Sequence, residues 1–408
     1  MRKNKLVYFD NSATTKVDPQ VREAMLPFLT EECGNPSSLH SPGQKAREAI
    51  EEARKNLAGF LGCTPREIIF TSCATEANNL ALKGLCQSFH RCTICGAACP
   101  DQGKTPHIIV SPIEHHCVLD TAKSLEKQGY EVTWLPVDKY GLVSVEEIRK
   151  SVKDNTVLIS IMCVNNEIGT VEPITEIGQM IKEVNRERFN NGLKRIYFHT
   201  DAVQAVQYLD CRVDHLGVDL LSLSAHKFYG PKGVGVLYAQ RGTPLVRQMD
   251  GGGQEFNLRA GTENVAGIVG LGKAIQLVKE HESETKKIEK LRDCLIDGVL
   301  KNVPKARLTG HPKQRAPHIA SFVIDGAEGE SILLKLDEKG IAVSSGSACT
   351  SGTLEPSHVI LACGTPIELS HGSLRISLGK DNTEEEVNYF LEVFPPIVKQ
   401  LREMSPIK

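Results

Sequence analysis

Short apolar runs alternate with amphipathic stretches along most of this 408-residue chain, and that alternation limits its possible folds more than any other feature. Apolar runs of four to eight residues bounded by turn residues read as buried strands. Longer segments with apolar residues three and four apart read as helices. Strands are expected at residues 68–71, 107–111, 131–135, 157–164, 195–199, 220–224 and 235–238, with helices between most of them. That succession is the pattern of an α/β domain on a mostly parallel sheet. One long helix is expected from Asn264 to about Lys301, apolar at first and charged through EHESETKKIEKLRD, as suits a helix passing from one core to another. A smaller α+β unit follows, with a strand in IASFVIDG, a helix at about 329–339 and a strand in GIAVSS. In TEEEVNYFLEVF, Thr383 and Glu386 have capping-box spacing, and Pro395 and Pro396 are expected to interrupt the segment beyond it.

Single cores stop growing at roughly 250 to 300 residues, so the chain is expected to divide. The net charge of −2, with 24% charged residues, gives no global field toward nucleic acid or an anionic membrane, and neither partner is expected. No apolar run approaches the ~18 residues of a membrane span, and the start MRKNKLVYFDNSATT has too few apolar residues for a secretory signal. A cytoplasmic location follows as the expectation. The 13 cysteines are read as mostly reduced, because a chain this long has no need of a disulfide framework.

Chemistry gathers where expected strands end. In SLSAHKFYGPKG, Lys227 falls just past the apolar run DLLSL, and ligands of open α/β sheets bind at that carboxyl edge. In RIYFHTDAVQA, Asp201 ends another such run. Each has an ordinary alternative, a solvated surface cation for the lysine and a helix N-cap for the aspartate. Together they suit pyridoxal phosphate, whose aldehyde needs an amine and whose ring nitrogen needs a carboxylate to stay protonated. In FTSCATEANNLALKG a strand runs into Ser72–Thr75 and a helix, so Thr75 and backbone N–H groups could receive the phosphate, or Thr75 is a plain cap. Ser224 and His226 could complete that cradle. His115, after IIVS, could stack on the ring and shuttle protons or be structural, and Asn166 in VNNEIGT could bond the phenolic oxygen. The stretch VSSGSACTSG leaves Cys349 among glycines and small hydroxyl residues that cannot bury it, either as a reactive thiol or as a chance cysteine in a turn.

Taken in order, FDNSATT, GNPSSLH, TSCATEANN, EHHCVLDT, VNNEIGT, HTDAVQA, SAHKFYGPKGVGVLY, GGGQE, RAGTENVAGIVGLG, SSGSACTSGTLEPSHV, LRISLG and LREMSP resemble the cysteine desulfurases of the nitrogen-fixation and iron-sulfur-assembly type. These belong to the aminotransferase-like pyridoxal phosphate superfamily. The resemblance implies a fold-type I homodimer with a large cofactor domain at residues 15–262 and a smaller one from residues 1–14 and 263–408. It implies that Lys227 forms the imine, Asp201 pairs with the pyridine nitrogen, and Gln204 bonds the phenolic oxygen with Asn166. Ala74, Thr75, Ser224 and His226 would hold the phosphate, Thr262 would reach the partner subunit's phosphate, and Arg375 would grip the substrate carboxylate. Cys349 would take sulfur from L-cysteine as a persulfide, leaving L-alanine, and deliver it to an acceptor or scaffold protein. Small neighbours would give that thiol the mobility it needs.

Residues 86–107, CQSFHRCTICGAACPDQGKTPH, exceed the usual connection, and the resemblance does not cover them. Cys86, Cys92, Cys95 and Cys99 could enclose zinc or an iron-sulfur cluster, or be unconnected thiols or a redox pair. Cys117 lies close to His115 without an evident role. Two other functions compete: a selenocysteine lyase, and a metal-binding scaffold or sensor with vestigial catalysis.

Overall fold

The computed structural model describes residues 6–90, 105–280, 282–346 and 356–404. Its strands, in chain order, are β1 (Val7–Tyr8), β2 (Ile68–Thr71), β3 (His107–Val110), β4 (Glu131–Trp134), β5 (Thr156–Ser160), β6 (Tyr197–Asp201), β7 (Leu220–Ser224), β8 (Gly235–Ala239), β9 (Ala306–Leu308), β10 (Ile319–Ile324), β11 (Ile341–Ala342) and β12 (Ser373–Ser377). Seven of them form the central sheet in the order β2-β8-β7-β6-β5-β3-β4. Only β8 in that sheet runs against its neighbours. The carboxyl ends of β2, β3, β5, β6 and β7 therefore share one edge.

Side chains alternate across this sheet. Ile109, Ile159, Phe198 and Leu221 meet the helices Ser41–Leu61, Ile174–Asn190 and Val265–Glu280 on one face. Ile108, Val110, Leu158 and Leu220 meet Ala74–His90 and His116–Lys127 on the other. Both faces are covered, which is why these strands read as continuous apolar runs. Polar side chains inside the sheet pair with one another, as buried His199 at the middle of β6 does with Ser160 Oγ at 2.8 Å and Ser222 Oγ at 3.1 Å. The expected β6 is displaced by two residues, so that Asp201 is its last residue instead of lying beyond it. The expected β5 stops at Ser160, while Ile161 and Cys163 still donate to the carbonyls of His199 and Asp201.

A second packing centre surrounds the antiparallel sheet β12-β10-β9. The helices Glu282–Asn302, Gly329–Asp337 and Glu384–Met404 cover it, and β1 joins it by pairing in parallel with β11. The helices Val265–Glu280 and Glu282–Asn302 fall within the expected long helix and flank residue 281, which lies outside the described residues. The capping box forms as its spacing implies: Thr383 N donates to Glu386 Oε2 and Glu386 N to Thr383 Oγ1, each at 3.3 Å. The expected interruption at Pro395 and Pro396 is overturned, because Glu384–Met404 is one helix through both. Proline's fixed φ is itself helical and the cost lies in lost hydrogen bonds; here buried Phe390, Phe394, Ile397 and Val398 hold the helix on either side of them. Phe390 stacks on Phe394 with ring centroids 4.9 Å apart and meets Phe9 edge-on at 6.2 Å.

Phe390→Ala would empty the middle of that aromatic cluster. A loss of about 3–5 kcal/mol is expected, read as a lower denaturation midpoint by near-ultraviolet circular dichroism.

Candidate active site

β6 and β7 are adjacent and parallel, with Asp201 in register with Ser222. This puts the Asp201 carboxylate beside the strand that leads through Ser224 and the short turn Ala225–Lys227 to the lysine. Asp201 is buried; its Oδ2 accepts from Asn78 Nδ2 at 2.7 Å and its Oδ1 from Val203 N at 3.0 Å. The second bond is the local turn that a capping role anticipates, and the first turns the carboxylate toward Asn78 of the helix Ala74–His90. Lys227 Nζ donates to the carbonyls of Ser12 and Ala13 at 2.6 and 2.8 Å. These belong to the motif FDNSATT after β1, to which the sequence reading assigned no role in the site.

That segment ties several functional residues together. Gln204 Nε2 also donates to Ser12 O, at 2.9 Å, while its Oε1 is 3.2 Å from His318 Nε2. Burial pushes His318 down to about 3, so the neutral ring donates from Nε2 and fixes the Gln204 amide. His226 Nδ1 lies 3.1 Å from Thr14 Oγ1, and burial, with the charges of Lys227 and Lys232, takes this imidazole down to about 4. Arg375, on β12, donates from Nη2 to Asp10 Oδ1 at 3.0 Å and from Nη1 to Asn166 O at 2.9 Å. Its Nε is buried and has no hydrogen-bond partner among the described residues.

At the far end of the sheet edge, Thr71, Gly235 and Ser224 lie in one row across β2, β8 and β7. Neighbouring strands are about 4.8 Å apart, so roughly 10 Å separates the outer two. A side chain at Gly235 would bring its Cβ within 2.5 Å of the Cys73 carbonyl carbon and 2.9 Å of Ala74 N, so glycine alone lets the loop lie there. Ala74 begins the helix Ala74–His90, and Thr75 stands exposed in its first turn. Arg259 Nε donates to Glu76 Oε1 at 3.0 Å, which joins this helix end to the segment that carries exposed Thr262. The preceding residues Glu255, Phe256 and Asn257 have φ of 44°, 58° and 64°. Buried Arg54 holds that strained run through Glu255, donating to Oε1 at 2.8 Å and Oε2 at 2.9 Å.

The chain matches the aminotransferase class-V family over residues 7–390. It is 53% identical over 405 residues to a cysteine desulfurase IscS of Methanosarcina thermophila, covering 99% of this chain and 95% of that protein. A Clostridium botulinum cysteine desulfurase IscS is 51% identical over 408 residues, covering 99% and 97%. The chain belongs to the class-V aminotransferase family, among its cysteine desulfurases. A NifS-like protein of known structure superposes with a TM-score of 0.86 at 39% identity, covering 97% of this chain and all of that one. A second, SspA in complex with cysteine, does so at 0.76 and 36%, covering 92% and 100%.

Cysteine desulfurases are pyridoxal phosphate enzymes, and the residues present fit that group. An amine and a buried carboxylate sit at adjacent strand ends, with a helix N-terminus and hydroxyls beyond them. Ser12 Oγ and Arg375 Nε, both buried beside Lys227 or Asp10 contacts, have no partners among the described residues and could serve an anionic ligand. His115 caps the helix His116–Lys127, its Nδ1 accepting from Cys117 N at 3.2 Å. Cys349, Cys92, Cys95 and Cys99 lie outside the described residues. Cys86 is fully buried in the core, and burial pushes its thiol up to about 12. Among the described residues no three His, Cys, Asp or Glu side chains are grouped to hold a metal ion.

Sequence reading passed over Asn78, Asp10 and the carbonyls of Ser12 and Ala13. A run of small polar residues directly after a strand is the signal that could have drawn attention to the latter. It also passed over Glu167, which is buried between Ser357, whose hydroxyl donates to it, and Gly346. Burial pushes this carboxyl up to about 7, against Ser357 and Arg375, from an ordinary 4.5. The folded protein thus holds a proton that the unfolded chain has released. This group's contribution to stability is fully present below pH 4.5 and lost as pH rises through about 7. Glu167→Gln should flatten that part of the profile, so denaturation midpoints of variant and parent should diverge in the variant's favour as pH rises through the same window.

Proposed function

We propose that this enzyme moves sulfur from L-cysteine onto Cys349, releases L-alanine, and passes the sulfur to an acceptor protein for iron-sulfur cluster assembly. The observation that carries the reading is the pairing of β6 with β7, which sets the Asp201 carboxylate beside the strand leading to Lys227. When bound, pyridoxal phosphate supplies an aldehyde for an amine and a protonated pyridine that withdraws electrons. Every other task falls to the side chains and backbone N–H groups of this chain.

Lys227 offers its Nζ as that amine and as the acceptor of the proton on the substrate's α-carbon. Asp201 holds the proton of the ring nitrogen, a position for which its burial and its two N–H donors keep it rigid. Gln204 and Asn166 serve the phenolic oxygen. Ala74, Thr75, Ser224 and His226 would hold the phosphate, and in a homodimer Thr262 would reach the phosphate bound by the partner. His226, neutral because burial takes it down to about 4, acts there as a hydrogen-bond donor. Arg375 orients the substrate carboxylate, using donors beyond those given to Asp10 and Asn166. His115 would lie against the ring and move protons.

Sulfur transfer itself is an attack by the Cys349 thiolate on the sulfur of the substrate. The S–S bond forms as the substrate's C–S bond breaks, and the carbon gains a proton to leave as alanine. The Cys349 sulfur and the substrate sulfur each lose one electron in forming the S–S bond, and the substrate carbon, which keeps the C–S electron pair, is reduced by two, so no outside oxidant is required. A cytoplasmic, reducing setting keeps the acceptor thiol available.

Cys349→Ser should lower alanine formation from L-cysteine by a factor on the order of 10³ or more, with the cofactor's visible absorbance retained. Persulfide mass should vanish from the peptide containing residue 349. Undiminished turnover in this variant would remove Cys349 from the reaction.

A further inference from the structure

We propose that Cys117 is a positioning residue that fixes the tautomer of His115, so that the neutral imidazole carries its proton on Nε2. The observation is a hydrogen-bonded chain that starts at Asp201. Asn78 Nδ2 lies 2.7 Å from Asp201 Oδ2 and 3.0 Å from Cys117 Sγ. Cys117 Sγ in turn lies 2.9 Å from His115 Nδ1. All of these atoms belong to buried or half-buried residues at one end of the helices Ala74–His90 and His116–Lys127.

The sense of the chain is set by the donors and acceptors each group carries. A carboxylate accepts only, so Asp201 takes one hydrogen of the Asn78 amide and the other is left for the sulfur. Reversing the amide would set its carbonyl against the carboxylate. Sulfur that already accepts from Asn78 has its own S–H to give, and His115 Nδ1 is the acceptor within reach. The Cys117 backbone N–H points at that same Nδ1 from 3.2 Å. Two donors therefore converge on one ring nitrogen, and the form that satisfies both has its lone pair there and its proton on Nε2.

Charge favours the same arrangement. Burial, joined by the charge of Asp201, raises the Cys117 thiol above its ordinary range, so that it remains a donor. Burial also lowers His115, assisted by Lys227 and His116 and opposed by Asp201 and Asp120. A cationic His115 would set an N–H against both the backbone N–H and the S–H of residue 117. Cys117 thereby sets the pH at which His115 takes up a proton, a consequence that rests on the reading of His115 as a proton-moving residue at the cofactor.

The test is nuclear magnetic resonance of the full-length holoprotein labelled with ¹⁵N in histidine, with the His115 signals assigned by their loss in His115→Gln. The parent should show an accepting Nδ1 and a protonated Nε2. Removing a donor that stabilises the neutral ring raises its pKa, so Cys117→Ala should move the His115 midpoint up by about half to one pH unit. Cys117→Ser, whose hydroxyl can donate in place of the thiol, should return the midpoint toward or below the parent value. A parent proton on Nδ1, which needs no variant to detect, or a Cys117→Ala protein with unchanged tautomer and midpoint, overturns the proposal. The acid limb of kcat/KM should follow the midpoint. A spectroscopic shift with an unmoved rate profile would leave Cys117 in its role and remove His115 from turnover.

Discussion

Adjacent parallel strands with opposite charge at their ends are the constraint on which the site depends. β6 and β7 are covered on both faces, so a polar side chain at mid-strand must find its partner inside the core, as His199 does between Ser160 and Ser222. Asp201 and the turn to Lys227 are placed where polarity is allowed, at the shared carboxyl edge. The loops after β2, β3 and β5 open onto the same edge and bring Thr75, His115 and Asn166 there. Only β8 runs the other way, and it enters at this edge with Gly235, where any side chain would strike the loop before Ala74.

An ammonium group close to a buried edge needs acceptors, and the chain's own beginning supplies them. Ser12 and Ala13 give their carbonyls to Lys227, Ser12 N donates to Ser377 Oγ at 2.9 Å, and Asp10 receives Arg375. Ser377 and Arg375 are both on β12 of the second packing centre. The N-terminal segment thus couples the lysine on one sheet to the guanidinium on the other. Any shift of the smaller sheet would be felt at Lys227 through bonds between backbone and side chain.

Much of this was legible in the sequence, for identifiable reasons. β2 and β7 were placed to the residue because each is a compact apolar run ended by hydroxyl residues. β6 was displaced by two residues because Arg195 and Ile196 look strand-like, whereas pairing with β5 begins at Tyr197. The path through Pro395 and Pro396 was not legible, since proline's local preference says nothing about the aromatic contacts that hold the helix. Nor were the particular contacts of Ser12 and Ala13, which are made by backbone carbonyls: the small polar run marks the segment without naming its partner. Asn78 belongs to the same class: an amide near the start of a helix acquires meaning only when the fold brings Asp201 and Cys117 to either side of it. The recognisable part was the set of strand-end residues, and the hidden part was the bonding that holds them still.

Which amine meets the cofactor decides the chemistry of this site. Borohydride reduction of the holoprotein, followed by proteolysis and mass spectrometry, tests this directly. A pyridoxyl group on the peptide containing Lys227, and an unlabelled protein when Lys227 is replaced by alanine, is the predicted result. Labelling of a different lysine, or of none in protein supplied with ample pyridoxal phosphate, would contradict it.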